Sequence, residues 1–196
     1  MSPTANAQDE ALRIFKASGA LLEGHFILRS GRHSGRFFQC ARVGERLDYV
    51  SRLAALLLQK WTSSESRSDF DTVVAIAMGG LVIGQELARQ TQKRYLFLEK
   101  VEGRLALRRN FTIASGERVL LVEDVVTRGG RVHEALDIIR KAGGQTIGVA
   151  ILVDRQETPS SFGVPLCSLV QLNFPTYPPE ALPEALKCLP AVKPGS

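Results

Sequence analysis

One stretch constrains the fold more than any other. Val119-Leu120-Leu121-Val122 is an unbroken apolar run, closed by the acids Glu123 and Asp124 and followed, after Val125 and Val126, by Thr127-Arg128-Gly129-Gly130-Arg131. Consecutive apolar residues leave no polar face, so they suit a strand covered on both sides, as in a parallel sheet with helices above and below. Beyond the glycines, Val132, Ala135, Leu136 and Ile139 share one helical face. A strand that passes through a glycine turn into a helix is the repeating unit of an α/β domain.

The alternation extends on both sides. Residues 72–77 read as a buried strand, Gly79-Gly80 as a link, and Leu81, Ile83, Leu87 and Ala88 as the apolar side of a helix. Residues 95–98, 146–153 and 166–170 read as further strands, which makes a mostly parallel five-stranded sheet flanked by helices. Upstream, Leu47, Val50, Leu53, Ala54, Leu57 and Leu58 follow helical spacing, and the polar, serine-rich residues 62–69 are expected as an exposed loop. Residues 11–17 read as a short amphipathic helix stopped by Gly19, and residues 25–29 and 36–40 as two strands around a turn-rich link at 30–35. A single domain over 1–196 is expected, with its core at about 46–174 and a small hood made of about 1–45 and the proline-rich 175–196.

The chemistry concentrates where the 119–122 strand ends. Open α/β sheets bind ligands at the carboxyl ends of their strands. Glycines let the backbone approach an anion, and the helix start after Gly130 offers free N–H groups and the positive end of a dipole. Thr127, Arg128, Gly129, Gly130 and Arg131 therefore suit a phosphate. Carboxylates repel phosphate, so Glu123 and Asp124 need another reason: they can accept hydrogen bonds from a vicinal diol and favour positive charge developing at an anomeric carbon. Acids for a diol beside glycines for a phosphate make a phosphoribosyl cradle.

Composition removes several alternatives. No apolar run approaches the roughly 20 residues that cross a bilayer, and residues 1–10 lack the basic start and apolar stretch of a signal peptide. A cytoplasmic protein without a membrane partner is expected. Cys40, Cys167 and Cys188 form no CxxC pair, and His25, His33 and His133 have no HxH or HExxH spacing, which argues against a disulfide framework or a zinc site. No GxxxxGK[ST] occurs, so this is no P-loop. The net charge of +5 includes Arg29, Arg32, Arg36, Arg42 and Arg46 near the start and Lys100, Arg104, Arg108 and Arg109 in a second group. With no nucleic-acid-reading module in the chain, a small polyanionic substrate is expected rather than nucleic acid.

The strand, acid pair and Thr/Gly loop resemble the signature by which type I phosphoribosyltransferases bind PRPP (5-phosphoribosyl 1-diphosphate). Three further segments resemble the orotate branch of that family. Phe26 to Phe38, with Arg29, the Ser30-Gly31 turn and the Phe37-Phe38 pair, is similar to its N-terminal segment. Val153-Asp154-Arg155-Gln156-Glu157 looks like its orotate-recognition strand end. Residues 98–109 fall where it has a mobile catalytic loop, usually supplied by the other subunit of a homodimer, with Lys100 matching the basic position best and Arg104 less well.

The resemblance implies a transfer of ribose 5-phosphate from PRPP to orotate with Mg²⁺, held mainly by PRPP rather than directly by the protein. It implies Lys100, Asp124 and Arg104 as catalytic residues. PRPP would meet Arg29, Met78, Gly79, Gly80 and Lys100 at its diphosphate, Glu123 and Asp124 at its ribose, and Val125, Val126, Thr127, Arg128, Gly129, Gly130 and Arg131 at its 5-phosphate. Orotate would meet Arg29, Phe37, Phe38, Thr127 and Arg155. The chain departs from the family pattern by lacking a loop histidine, by Gly79 where some members have lysine, and by Arg128 and Arg131 where small residues are common. A phosphoribosyltransferase for another base, or a non-catalytic PRPP-binding regulator acting on nucleic acid, are the alternative readings.

Overall fold

The computed structural model describes residues 3–28, 30–63 and 69–194. In chain order the elements are α1 (Pro3–Ala17), β1 (Leu21–Ile27), β2 (His33–Phe38), α2 (Leu47–Ser63), β3 (Thr72–Ile76), α3 (Gly80–Thr91), β4 (Arg94–Val101), β5 (Arg104–Leu107), β6 (Arg118–Val126), α4 (Gly130–Lys141), β7 (Gln145–Asp154), β8 (Leu166–Gln171), β9 (Thr176–Tyr177), α5 (Glu184–Lys187) and β10 (Ala191–Val192).

The apolar runs become the centre of a six-stranded sheet of order β5-β4-β3-β6-β7-β8. The five strands expected from the sequence pair in parallel. Every residue of β3 is buried. Successive side chains of a strand face opposite sides, so β6 feeds two cores. Leu120 and Val122 join Val73, Leu152, Leu53 and Leu57 on the α2 and α3 side. Val119 and Leu121 join Val74, Ile151, Ala135 and Ile139 on the α4 side. Ala11, Ile14 and Phe15 of α1 belong to the first of these clusters, so this helix packs into the main core.

The sixth strand is a correction. Residues 98–109 were expected as a loop, but β4 continues through Lys100 to Val101 and turns at Glu102-Gly103. It then pairs antiparallel with β5, with Lys100 opposite Leu105. Leu98 and Leu105 are buried and Leu107 packs on the same cluster, so an apolar alternation hidden among the charges holds the hairpin to the sheet. Glu134 of α4 fixes it further by accepting the Leu105 backbone N–H at 2.8 Å.

A second, four-stranded sheet has the order β10-β1-β2-β9 and joins the beginning of the chain to its end. Its first two strands lie earlier than expected, and the link between them is correspondingly shorter, with the Leu28 N–H donating to the Arg32 carbonyl at 2.8 Å. β10 runs parallel to β1, with His25 opposite Ala191 and Phe26 opposite Val192. His25 is buried and its Nδ1 lies 3.1 Å from the Leu189 carbonyl while its Nε2 lies 2.6 Å from His33 Nδ1, so the histidine pair clasps the C-terminal segment.

At the opposite end of the main sheet from the strand-end acids, Arg118 grips Asp71 and Arg94 grips Glu117, which also accepts a hydrogen bond from the buried Thr72 hydroxyl. The Arg118 hydrogen bonds hold the Asp71 carboxyl down at about 2. No helix among the described residues is long and apolar enough to cross a membrane.

Candidate active site

β3, β6 and β7 deliver their carboxyl ends side by side, and three cavities open around them. One, of about 330 Å³, is lined by Glu123, Val126, Thr127, Arg128, Gly129 and Arg131, among others. Its floor is the start of α4, whose first-turn N–H groups have no partner within the helix. Gly129 sits at φ +73°, and a Cβ there would come within 2.9 Å of the Phe162 ring, so the turn requires glycine twice over. Backbone donors and the helix dipole suit this pocket to an anion, as expected for a phosphate. Arg131 lines it while pairing with Glu134 at 3.2 Å and donating to the Gly103 carbonyl at 3.4 Å. That arginine therefore also ties the β4–β5 turn to the phosphate loop.

The two acids straddle their strand. Glu123 is buried and faces the phosphate pocket. Burial, followed by the neighbouring Asp124 carboxylate, pushes its carboxyl up to about 9. Both effects favour the neutral form of the carboxyl. Asp124 points to the other side and borders a 270 Å³ apolar cavity with Cys40, Met78, Gly79 and Val82. Its carboxylate rests on Gly79: a Cβ there would fall within 2.5 Å of all three terminal atoms of Asp124. This accounts for the departure noted above, since no lysine fits at Gly79 while Asp124 holds this position. Met78, Gly79 and Gly80 form the β3–α3 link beside it, with Met78 exposed and Gly80 buried. Val125 lines the phosphate pocket, and its N–H donates to Asp124 Oδ1 at 2.7 Å.

The third cavity is the largest, about 1160 Å³, and brings Phe37, Thr127, Arg128 and Arg155 together. Its walls come from both sheets. The Arg155 N–H donates to the Val126 carbonyl at 2.8 Å, which fixes the residue at the end of β7 beside the phosphate loop. Its guanidinium lies over the Phe174 ring, 5.2 Å from the centroid. Its Nε is buried with no hydrogen-bond partner among the described residues. A buried guanidinium donor without an acceptor is costly unless a ligand supplies one.

Not every expected residue is gathered here. Phe38 faces the other way from Phe37, is buried, and meets Phe15 edge-on at 5.1 Å, so the structure makes it a core residue rather than a wall of the site. Neighbouring strand residues point to opposite faces, and of this pair only Phe37 turns to the cavity. Lys100 and Arg104 are exposed on the hairpin and line none of these three cavities. Arg29 lies outside the described residues. Conversely, the large cavity also takes Ser30, Gln39 and Lys193, and Phe174 supports its arginine. Nothing in the local sequence of these residues marks them.

Comparison with known proteins agrees with this geometry. Residues 47–161 match the family described as phosphoribosyl transferase domain. The orotate phosphoribosyltransferase of Erythrobacter litoralis is 47% identical over 188 residues, which span 96% of this chain and 97% of that protein. That of Novosphingobium aromaticivorans is 49% identical over 189 residues, again 96% and 97% of the two chains. Among solved structures, orotate phosphoribosyltransferase from Aeropyrum pernix superposes with a TM-score of 0.69 at 26% identity, covering 82% of this chain and 92% of that one. With near-complete coverage at this identity, and the strand-end acids, glycine loop and half-buried Arg155 in place, the chain belongs to the orotate phosphoribosyltransferases of the phosphoribosyl transferase family.

Proposed function

We propose that this protein transfers ribose 5-phosphate from PRPP to orotate, forming orotidine 5′-monophosphate and pyrophosphate in pyrimidine biosynthesis. The observation that carries the reading is the half-buried Arg155, whose buried Nε has no partner among the described residues and which shares a cavity with Phe37 and Thr127 beside the glycine loop. A guanidinium fork matches a carboxylate with two parallel hydrogen bonds, and the carboxylate is what separates orotate from uracil.

In this reading Thr127 to Arg131 hold the 5-phosphate, and the Met78–Gly80 backbone with Arg29 receives the diphosphate. Glu123 and Asp124 hold the ribose hydroxyls. Asp124 also stabilises the positive charge that develops as the bond from the anomeric carbon to the diphosphate breaks and the bond to the pyrimidine nitrogen forms. No residue serves as a covalent nucleophile. Mg²⁺ typically binds through substrate phosphates with one or two carboxylates, so an ion brought in on PRPP would be held mainly by that substrate, with the half-buried Asp124 carboxylate as the protein group that fits it. When bound, it neutralises the departing diphosphate.

Lys100 and Arg104 act, in our reading, on the site of a second copy in a homodimer. Their exposure on the hairpin, away from the cavities of their own chain, supports this. A cytoplasmic setting fits the three free thiols of Cys40, Cys167 and Cys188.

The test is an ultraviolet assay of orotate consumption with PRPP and Mg²⁺, run beside uracil and purine bases. Turnover of orotate alone is expected. Turnover of another base but not orotate would overturn the assignment, as would salt-dependent nucleic-acid binding without any turnover.

A further inference from the structure

The C-terminal segment enters the substrate cavity by a route that local sequence does not reveal. Its path is fixed at two places. The Leu189 carbonyl faces His25 Nδ1 at 3.1 Å, and Ala191 and Val192 pair with His25 and Phe26 of β1. Continuing from that strand, Lys193 and Pro194 become walls of the largest cavity, together with Phe37, Thr127, Arg128 and Arg155.

The electrostatics of that cavity are one-sided. Its described lining holds three cations, Arg128, Arg155 and Lys193. None of the three has an ion-pair partner among the described residues, and none of the cavity's described walls is acidic. Unpaired like charges around one concavity repel each other and favour an anionic occupant. The 5-phosphate pocket is a separate space built from β6 and α4, and Lys193 is not among its walls. The anion nearest Lys193 is therefore the one on the base side of the reaction.

We propose that Lys193 is a substrate-binding residue, its ammonium sharing the orotate carboxylate with Arg155, so that the C-terminal strand completes the base subsite. This rests on the orotate reading given above. The two cations divide the work by their chemistry. Arg155, packed on Phe174, sets direction through a planar fork; Lys193 is a point charge on a flexible stem that follows the carboxylate once it is seated. The carboxylate persists in the nucleotide product, so the contact is made before and after transfer. It therefore acts on binding more than on turnover.

The experiment uses the full-length enzyme with Lys193→Gln and Lys193→Arg, and with Lys187→Gln as a control for an exposed lysine on the same segment. Lys193→Gln should raise KM for orotate roughly 10-fold, the loss of one charge-assisted contact. Its kcat and its KM for PRPP should stay within about twofold, with Tm unchanged. Lys193→Arg should recover most of the loss and Lys187→Gln should match the wild type. A second measurement compares equilibrium binding of orotidine 5′-monophosphate with uridine 5′-monophosphate, which lacks the carboxylate. The preference for the former should shrink in Lys193→Gln by a similar factor. An unchanged orotate KM and preference would overturn the proposal while leaving the enzyme's assignment intact. A rise in the PRPP KM instead would place Lys193 on the phosphoribosyl side. A wild-type enzyme that does not use orotate would remove this proposal together with the reading it rests on.

Discussion

Replacing Gly79 by alanine tests the site at its tightest point. The backbone there is at φ −62° and ψ −40°, a conformation any residue adopts, so the substitution adds no backbone strain. Its one consequence is steric. The new Cβ would stand within 2.5 Å of the Asp124 carboxylate, where ordinary contact begins near 3.4 Å. One group must retreat by roughly 1 Å. Asp124 is half-buried at the rim of a cavity and its side chain can rotate, so the carboxylate gives way rather than the strand. The stability cost should stay below about 1 kcal/mol. A displacement of that size at a catalytic group costs about 100-fold in turnover, or about 2.7 kcal/mol of transition-state stabilisation. Steady-state kinetics with saturating PRPP should show this loss in kcat, while thermal unfolding shows little change. Gly80→Ala provides the contrast: its Cβ would meet the Val122 carbonyl oxygen at 2.8 Å and Glu123 Cα at 3.3 Å. Backbone cannot swing aside, so that variant should lose stability as well as activity. A Gly79→Ala enzyme with kcat within about threefold of wild type would refute the claim that Asp124 works from its place against Gly79.

Three other outcomes are expected. Arg155→Ala should lower kcat/KM for orotate by roughly 30-fold or more while leaving PRPP affinity nearly unchanged; equal losses for both substrates would contradict the carboxylate role. Mixing inactive Lys100→Ala chains with inactive Asp124→Asn chains should restore part of the activity, and no recovery despite demonstrated subunit exchange would place the hairpin in its own chain's site. Glu123 titrates in the unfolded chain near 4.5 and in the folded one at about 9. Because the folded value is the higher, its favourable contribution is complete below the lower value and disappears as pH rises through the upper one. Urea unfolding between pH 5 and 8 should therefore show Glu123→Gln gaining on wild type as the pH rises, and a constant difference would refute the upward shift.

The sequence alone determined the parallel sheet and the glycine turn between β6 and α4, because both are written in short-range pattern. An apolar run too long for alternation dictates a strand covered on both faces, and the Gly129-Gly130 pair after it marks a turn whose first position only glycine fills. The other decisions needed tertiary contacts. Alternation separates Phe37 from Phe38, but only the packing of β2 against Phe15 says which ring is core. The hairpin at 94–107 carries apolar residues at alternate positions, yet its charged residues masked them until Glu134 and the α4 cluster supplied a surface to pack on. Asp124 meets Gly79 only because β3 and β6 lie side by side, and Lys193 reaches the cavity shared with Phe37 and Arg155 only because β10 pairs with β1. Local pattern records how a segment prefers to fold; the free energy that brings distant segments together comes from burial and strand pairing, which have no signature within either segment alone.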